Sequence, residues 1–173
     1  MASPQREYIV TAGIILIFGI FTLTALVDGR SRVRDDLRQQ DITNLKRALE
    51  QYYNAHEFYV SPPGGKNACT FSASDSWFFG NTSPLLQKQL IDAIPHDVRE
   101  HKGHVYEYCA TQSEKGRTTG YYLQAEFESK KQAGTFFDED EQRKFAYLII
   151  REPGRTLYRV CGGTEPQCDP IKK

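Results

Sequence analysis

Residues 41–65 read DITNLKRALEQYYNAHEFYVSPPGG, a helical pattern that ends in tyrosines, prolines and glycines. Ile42, Leu45, Leu49, either Tyr52 or Tyr53, and His56 recur at intervals of three and four, which places them on one face of an α-helix. The two prolines and two glycines at the end of the stretch cannot continue a helix. The stretch therefore predicts an amphipathic helix whose apolar face belongs to the core of a folded domain.

An uncharged apolar segment precedes this helix. Residues 8–27, YIVTAGIILIFGIFTLTALV, have about the length that a helix needs to cross a bilayer, roughly twenty residues. We predict a short N-terminal tail over 1–7, a transmembrane helix over 8–27, an amphipathic helix that continues it over 28–60, and one α+β domain over 61–173. The alternatives are a cleaved signal peptide, whose apolar core usually runs only about 7–15 residues, and a helix buried inside a protein core.

Two features of the sequence disagree about the side of the membrane on which the domain lies. Arg30, Arg32, Arg34 and Arg38 follow the apolar segment, whereas only Arg6 precedes it. The positive-inside rule, read literally, would place the domain in the cytoplasm. The cysteines favour the opposite side.

Four cysteines, an even number, suit an oxidising compartment: Cys69, Cys109, Cys161 and Cys168. The last two enclose GGTEPQ, a segment that can close a small loop, although four cysteines allow three disulfide connectivities. Four unrelated buried thiols are the alternative. We favour an exported, extracytoplasmic domain, either periplasmic or at the cell surface.

The remaining sequence predicts an α+β fold with one more helix and a sheet. Residues 61–83 form a loop whose aromatic residues tuck onto the core, and Ser83 and Pro84 then supply the N-cap and first position of a helix that ends at Pro95. The later segments VYEYCA and YYLQAEFE alternate as strands do, and FAYLIIREPGRTLYRVC predicts a hairpin with a type II turn at Pro153-Gly154. We expect an antiparallel sheet of about four strands, packed on the long N-terminal helix.

One of these strands has two distinct faces. Its apolar residues are predicted to face the core and its polar residues to face water. The apolar set is Tyr121, Leu123, Ala125 and Phe127, and the polar set is Gln124, Glu126 and Glu128.

Composition and motifs give no support for catalysis or nucleic-acid binding. The 22 basic and 22 acidic residues leave no net charge to attract a nucleic acid, and no phosphate-binding loop, G-x-S-x-G or H-E-x-x-H motif is present. His96, His101 and His104, and the acidic run Asp138–Glu141, contain possible metal ligands, but we interpret both as solvated loops. We predict no enzyme, no catalytic or metal site, and no cofactor.

The order of these parts resembles the type IV pilins and the pseudopilins of type II secretion, above all the major pseudopilins. The segment DITNLKRALEQYYNAHEFYVSPPG is similar to the family pattern of spaced leucines, paired tyrosines and a turn with Tyr and Pro. LLQKQLIDAIPHD, VYEYC and YYLQAEFE resemble the second helix, its Pro-x-Asp end and the tyrosine-rich strands. The resemblance covers most of the chain.

This resemblance implies a structural subunit with a pilin-like fold, in which Ile42, Leu45, Leu49 and Tyr52 face the sheet. It implies an extracytoplasmic domain, and as partners the membrane and homologous subunits or the secretion or pilus machinery, with no nucleic acid. It also implies that Glu7 acts as a charge at a subunit contact. The pairing of Cys161 with Cys168 would close the C-terminal loop, and we then expect Cys69 to pair with Cys109.

The processing signals of the family are missing. Family members have a glycine before the cleavage point and a glutamate at the fifth mature residue, whereas here only Glu7 precedes YIVTAG, with no glycine before it. A second interpretation therefore stays open: a single-pass protein whose extracytoplasmic pilin-like domain binds a partner or ligand and does not polymerise.

Overall fold

The computed structural model describes residues 4–63, 68–72, 77–113, 116–128, 147–153 and 155–163. These residues form an α+β fold with an antiparallel sheet, as predicted. A 53-residue helix, α1, spans Pro4–His56, and a short helix, α2, spans Pro84–Gln87. A 3-10 turn follows at Glu100–Lys102.

The sheet contains five described strands in the order β1-β2-β3-β5-β4, and every neighbouring pair is antiparallel. Four of them have six residues or more, and the edge strand β1 has three. Their bounds are β1 Cys69–Phe71, β2 Tyr106–Gln112, β3 Thr118–Phe127, β4 Tyr147–Glu152 and β5 Arg155–Gly163. The predicted hairpin corresponds to β4 and β5, joined through Pro153, and Gly154 lies outside the described residues.

The C-terminal part of α1 forms the core with the inner face of the sheet. Ile42, Leu45 and Leu49 are fully buried, and Tyr52 packs half-buried against them. The helix ends at His56, before the prolines, because Glu57 adopts a left-handed conformation with φ 63°. Such a residue stops helix propagation, and the chain then turns back along the sheet.

Aromatic rings fill the space between α1 and the sheet. The inward residues of β3 are the predicted ones, Tyr121, Leu123, Ala125 and Phe127. Phe78 lies in the segment predicted as a loop on the core, and its ring stacks on Tyr108 with centroids 4.1 Å apart. Stacked rings of this size bury a large apolar area, which anchors the irregular segment to the sheet.

The predicted second helix is wrong in length. We expected it to reach Pro95, but it ends after one turn because Gln89 adopts φ 55°. The N–H of Leu90 donates to the carbonyl of Leu85, and the N–H of Gln89 donates to Leu86, both at 2.9 Å. This is a Schellman ending, which usually takes glycine and was therefore not visible from the sequence.

The predicted N-cap at Ser83 is only partly realised. The carbonyl of Ser83 accepts a hydrogen bond from the N–H of Gln87 at 3.0 Å, but its buried hydroxyl makes no capping hydrogen bond. The strand β1 was also not predicted, because its three residues lie in a segment interpreted as a loop. Short edge strands take their structure from the neighbouring strand more than from local sequence.

A disulfide joins β1 to β2 through the expected pair Cys69 and Cys109. The two residues face each other directly in the strand register, with Cα atoms 4.1 Å apart. Cys161 in β5 is also disulfide-bonded, and its predicted partner, Cys168, lies outside the described residues. A crosslink at β1 stabilises an edge strand that has few hydrogen bonds of its own.

Among the residues that the structure describes, no helix is both long and apolar enough to span a membrane.

Replacing Leu45 by alanine tests the packing of α1 on the sheet. Leu45→Ala leaves a cavity in the core, so we expect the free energy of unfolding to fall by about 2–5 kcal/mol. Leu37→Ala is the matched control, because Leu37 is exposed on the same helix and its loss should change stability by less than about 0.5 kcal/mol. Guanidinium unfolding of the full chain in non-ionic detergent, followed by Trp77 fluorescence, measures both. Equal effects of the two variants would contradict this packing.

Candidate functional site

The N-terminal part of α1 exposes apolar side chains in every direction. Five successive residues, Ile14 to Phe18, are 51 to 68% exposed, and Phe21 is 74% exposed. Because successive helical residues point about 100° apart, five in a row cover the whole circumference. A helix that is apolar all round needs a membrane or other helices to cover it. This surface, residues 11–22, is called the apolar sleeve below.

The hydroxyl of Thr22, one of two threonines in the apolar sleeve, forms its hydrogen bonds within the helix. The hydroxyl of Thr22 donates to the backbone carbonyls of Phe18 at 3.0 Å and Gly19 at 2.9 Å. Threonine hydroxyls in helices can donate to the backbone carbonyl three or four residues earlier. The Thr22 hydroxyl therefore has hydrogen-bond partners within the helix and does not need water as a partner.

Six charged side chains form a cluster at the point where α1 leaves the sheet. Three guanidiniums and three carboxylates balance in formal charge. The members are Arg34, Asp35, Arg38, Asp97, Arg99 and Glu128. They come from α1, from the segment after α2 and from the end of β3, and we call this group the junction cluster. It ties three separate parts of the chain together.

Arg38 is the centre of the junction cluster. It is 1% exposed, and its guanidinium donates to Asp35 at 2.7 Å, to Glu128 at 2.7 Å and to both carboxylate oxygens of Asp97. The bond from Nη2 to Asp97 measures 3.1 Å. The planar fork of arginine suits such a two-point contact with a carboxylate, whereas lysine presents a single point charge.

Glu128 is the second centre, because three arginines contact it. Arg34 donates twice, at 2.8 and 2.5 Å, and Arg99 donates at 2.6 Å, in addition to Arg38. The N–H of Glu128 donates to Asp35 at 2.9 Å, so the backbone at the end of β3 is also fixed to α1.

The charges of the cluster stabilise one another's ionised states. Hydrogen bonding by Arg34, followed by that of Arg38, lowers the pKa of Glu128 from 4.5 to about 2, although burial opposes this shift. Burial is the largest influence on Arg38 and would lower its pKa, but the hydrogen bonds with Asp97 and Glu128 outweigh it and the pKa is raised. These shifts in pKa favour the charged forms of Arg38 and Glu128, and their ion pairs hold the three parts of the chain in fixed positions.

The sequence-predicted site residues fall into several groups. Ile42, Leu45, Leu49 and Tyr52 are in the core, as described above. The side chain of Glu7 and the run Asp138–Glu141 lie outside the described residues.

The histidines are not brought together as a ligand set. His96 is exposed beside Glu100, and His101 is exposed. His104 has a buried Nδ1 that forms no hydrogen bond with any described residue. Within the described ranges, the one group of possible metal ligands lying close enough is Cys69, Glu107 and Cys109. Its two sulfurs are joined in a disulfide, so neither is available as a thiolate.

The prediction that one side of β3 faces water is wrong for two residues. Glu128 is largely covered by the arginines of the junction cluster. Gln124 is 8% exposed, because it donates to Glu107 at 3.0 Å and accepts from Arg159 at 2.6 Å. The guanidinium of Arg159 also lies 4.2 Å from the centre of the Tyr122 ring. Cross-strand polar contacts, which alternation alone does not reveal, bury Gln124.

The sequence did contain a signal for the junction cluster. Asp35 and Arg38 continue the spacing of three and four that leads to Ile42 and Leu45, so they share the buried face of the helix. From the sequence alone, we use these arginines only to predict the side of the membrane on which the domain lies. Asp97, which binds Arg38, and Arg99, which binds Glu128, lie in a segment that the sequence predicts as a solvated loop.

No known family model, curated protein or solved structure matches this chain.

Loss of Arg38 should strongly destabilise the domain. Arg38→Gln leaves three carboxylates without their shared cation, and breaking a buried ion pair from one side typically costs about 3–5 kcal/mol. Arg47→Gln removes the same charge from an exposed position on the same helix and should cost less than about 0.5 kcal/mol. Guanidinium unfolding of the full chain compares the two. A cost for Arg38→Gln as small as that of the control would show that the cluster does not support the fold.

The junction cluster also predicts the acid dependence of stability. The pKa of Glu128 is lower in the folded than in the unfolded chain, so its stabilisation is complete above about pH 4.5 and is lost as the pH falls toward 2. We expect the free energy of unfolding to fall over this range, and to fall less steeply in Glu128→Gln. Asp92→Asn, which neutralises an exposed carboxylate outside the cluster, should keep the wild-type slope. An unchanged slope in Glu128→Gln would contradict the assigned contacts.

Proposed function

We propose that this protein is a pilin-like or pseudopilin-like structural subunit of a type IV pilus or type II secretion-type assembly, anchored by the N-terminal part of α1. Its work is packing and not chemistry. The observation that carries the proposal is the apolar sleeve, which is exposed on all sides of the helix while the same helix is buried in the domain further along.

The arrangement of the chain supports this proposal. The uncharged sequence of residues 8–27 has the length of a membrane span, and a helix of 53 residues extends about 80 Å. Only its second half is needed for the domain core, so the first half is available for a membrane or for neighbouring helices. Antiparallel strands packed on one face of the helix agree with the fold that the resemblance implies.

The proposed location is a membrane, with the domain on the extracytoplasmic side. The disulfide between Cys69 and Cys109 supports that side, because disulfides persist mainly in oxidising compartments. The proposed partners are the membrane and homologous subunits or the secretion or pilus machinery. We propose no enzymatic activity and no cofactor.

A second candidate is a membrane-anchored domain of the same fold that binds a partner or ligand and does not polymerise. The specific observation in its favour is the composition of residues 1–7, MASPQRE, which contain no glycine. Both candidates use the apolar sleeve as an anchor and differ in whether copies of the chain assemble.

Charged substitutions in the apolar sleeve test the anchor. Lysine at the centre of a membrane helix costs about 3 kcal/mol, so Ile17→Lys combined with Phe21→Lys should move the full chain out of the carbonate-resistant membrane fraction. Leucine at the same two positions is the control and should leave the chain in the membrane. Retention of the lysine variant at the wild-type level would overturn the anchor.

Crosslinking in intact membranes then separates the two candidates. A lysine-reactive reagent should give a ladder of homo-oligomers if the chain is a subunit, and mass spectrometry of the mature N-terminus should reveal processing. A chain that stays monomeric and keeps Met1 or Ala2 at its N-terminus would support the non-polymerising domain instead.

A further inference from the structure

We propose that Arg30 and Arg32 bind the phosphates of anionic phospholipids, forming an arginine collar around α1 at the membrane surface. This inference rests on the proposed anchor, and it adds a lipid class that the anchor would select. Both residues are exposed, and neither guanidinium forms an ion pair with any residue that the structure describes.

Arg30 and Arg32 differ from the next two arginines of α1, which form ion pairs with residues that the structure describes. Arg34 and Arg38 lie four and eight residues after Arg30, and both are held by carboxylates of the junction cluster. The carboxylates of the junction cluster thus neutralise the two arginines that lie within their reach on α1. Arg30 and Arg32 lie earlier in α1, and no carboxylate among the described side chains forms an ion pair with them.

Distance along the helix places the collar at the depth of lipid phosphates. An α-helix rises 1.5 Å per residue, so the Cα atoms of Arg30 and Arg32 lie about 4.5 and 7.5 Å beyond Val27, the last apolar residue. The headgroup region on each side of a bilayer is about 5–8 Å thick. Both guanidiniums can therefore reach phosphates if the apolar segment fills the hydrocarbon region.

The two arginines point in nearly opposite directions around the helix. They are two residues apart, which corresponds to about 200° of rotation. Each can bind a different lipid, and arginine can form two parallel hydrogen bonds to a phosphate. The chemistry favours phospholipids with net negative charge, because a zwitterionic headgroup carries its own cation to compete with the guanidinium.

Spin-labelled lipids test the collar in the full chain. The protein is reconstituted into phosphatidylcholine vesicles that contain a trace of spin-labelled phosphatidylglycerol or phosphatidylcholine, and electron paramagnetic resonance measures the lipid immobilised on the protein. We expect phosphatidylglycerol to associate more strongly, by up to roughly fivefold per arginine. Arg30→Gln combined with Arg32→Gln should bring the two lipids close to equal association, and 0.5 M NaCl should weaken the preference of the wild type.

A charge-matched control separates the collar from a general effect of net charge. Arg47 and Arg117 are exposed and lie far from the apolar segment along the chain, so Arg47→Gln combined with Arg117→Gln removes the same charge elsewhere. This variant should keep the wild-type lipid preference, and Trp77 fluorescence confirms that all variants are folded.

The outcomes distinguish the collar from the anchor on which it rests. Immobilised lipid without a preference, or a preference that survives the loss of Arg30 and Arg32, would overturn the collar and leave the anchor standing. No immobilised lipid of either kind would overturn both. Loss of preference in the Arg47 and Arg117 variant would show a long-range charge effect and would also overturn the collar.

Discussion

The buried guanidinium of Arg38 is the constraint on which the junction between helix and sheet depends. A charge with 1% exposure is tolerated only when its hydrogen bonds are satisfied, and Asp35, Asp97 and Glu128 supply them. Each carboxylate comes from a different part of the chain. The helix, the segment after α2 and the end of β3 must therefore reach their final positions together, because any one missing leaves a buried charge uncompensated.

This cluster has a geometric consequence for the apolar sleeve. The sleeve is exposed on all sides, so the domain orients it only through α1 itself and the contacts that begin near Arg34. Apolar contacts are not directional and would permit α1 to shift on the sheet. The directional hydrogen bonds from arginine to the carboxylates fix both the rotation of α1 about its axis and its position along that axis. The cluster thus fixes the orientation of the sheet relative to α1, which carries the sleeve.

Local periodicity predicted the parts of the fold in which one residue type fills one face. Ile42, Leu45 and Leu49 follow such a stripe, and the inward side of β3 follows simple alternation. Prediction failed where no repeating pattern of residue types marks the deciding feature. The left-handed Gln89 ends α2 with a residue that does not usually do so, and Gln124 is buried by partners on two other strands. The helical and strand periodicities of the sequence reveal neither the conformation of Gln89 nor the partners of Gln124.

The same limit explains why the junction cluster was missed although its helical half was visible. Asp35 and Arg38 continue the buried stripe of α1, but charge at such positions usually means solvent exposure, because burial of an isolated ion costs several kcal/mol. Only the three-dimensional position of Asp97 and Glu128 reverses that expectation. One helical face therefore changes from an apolar contact at Leu45 to an ionic one at Arg38 without a break in its spacing. This continuity lets a single helix be part of a domain core at one end and an exposed apolar sleeve at the other.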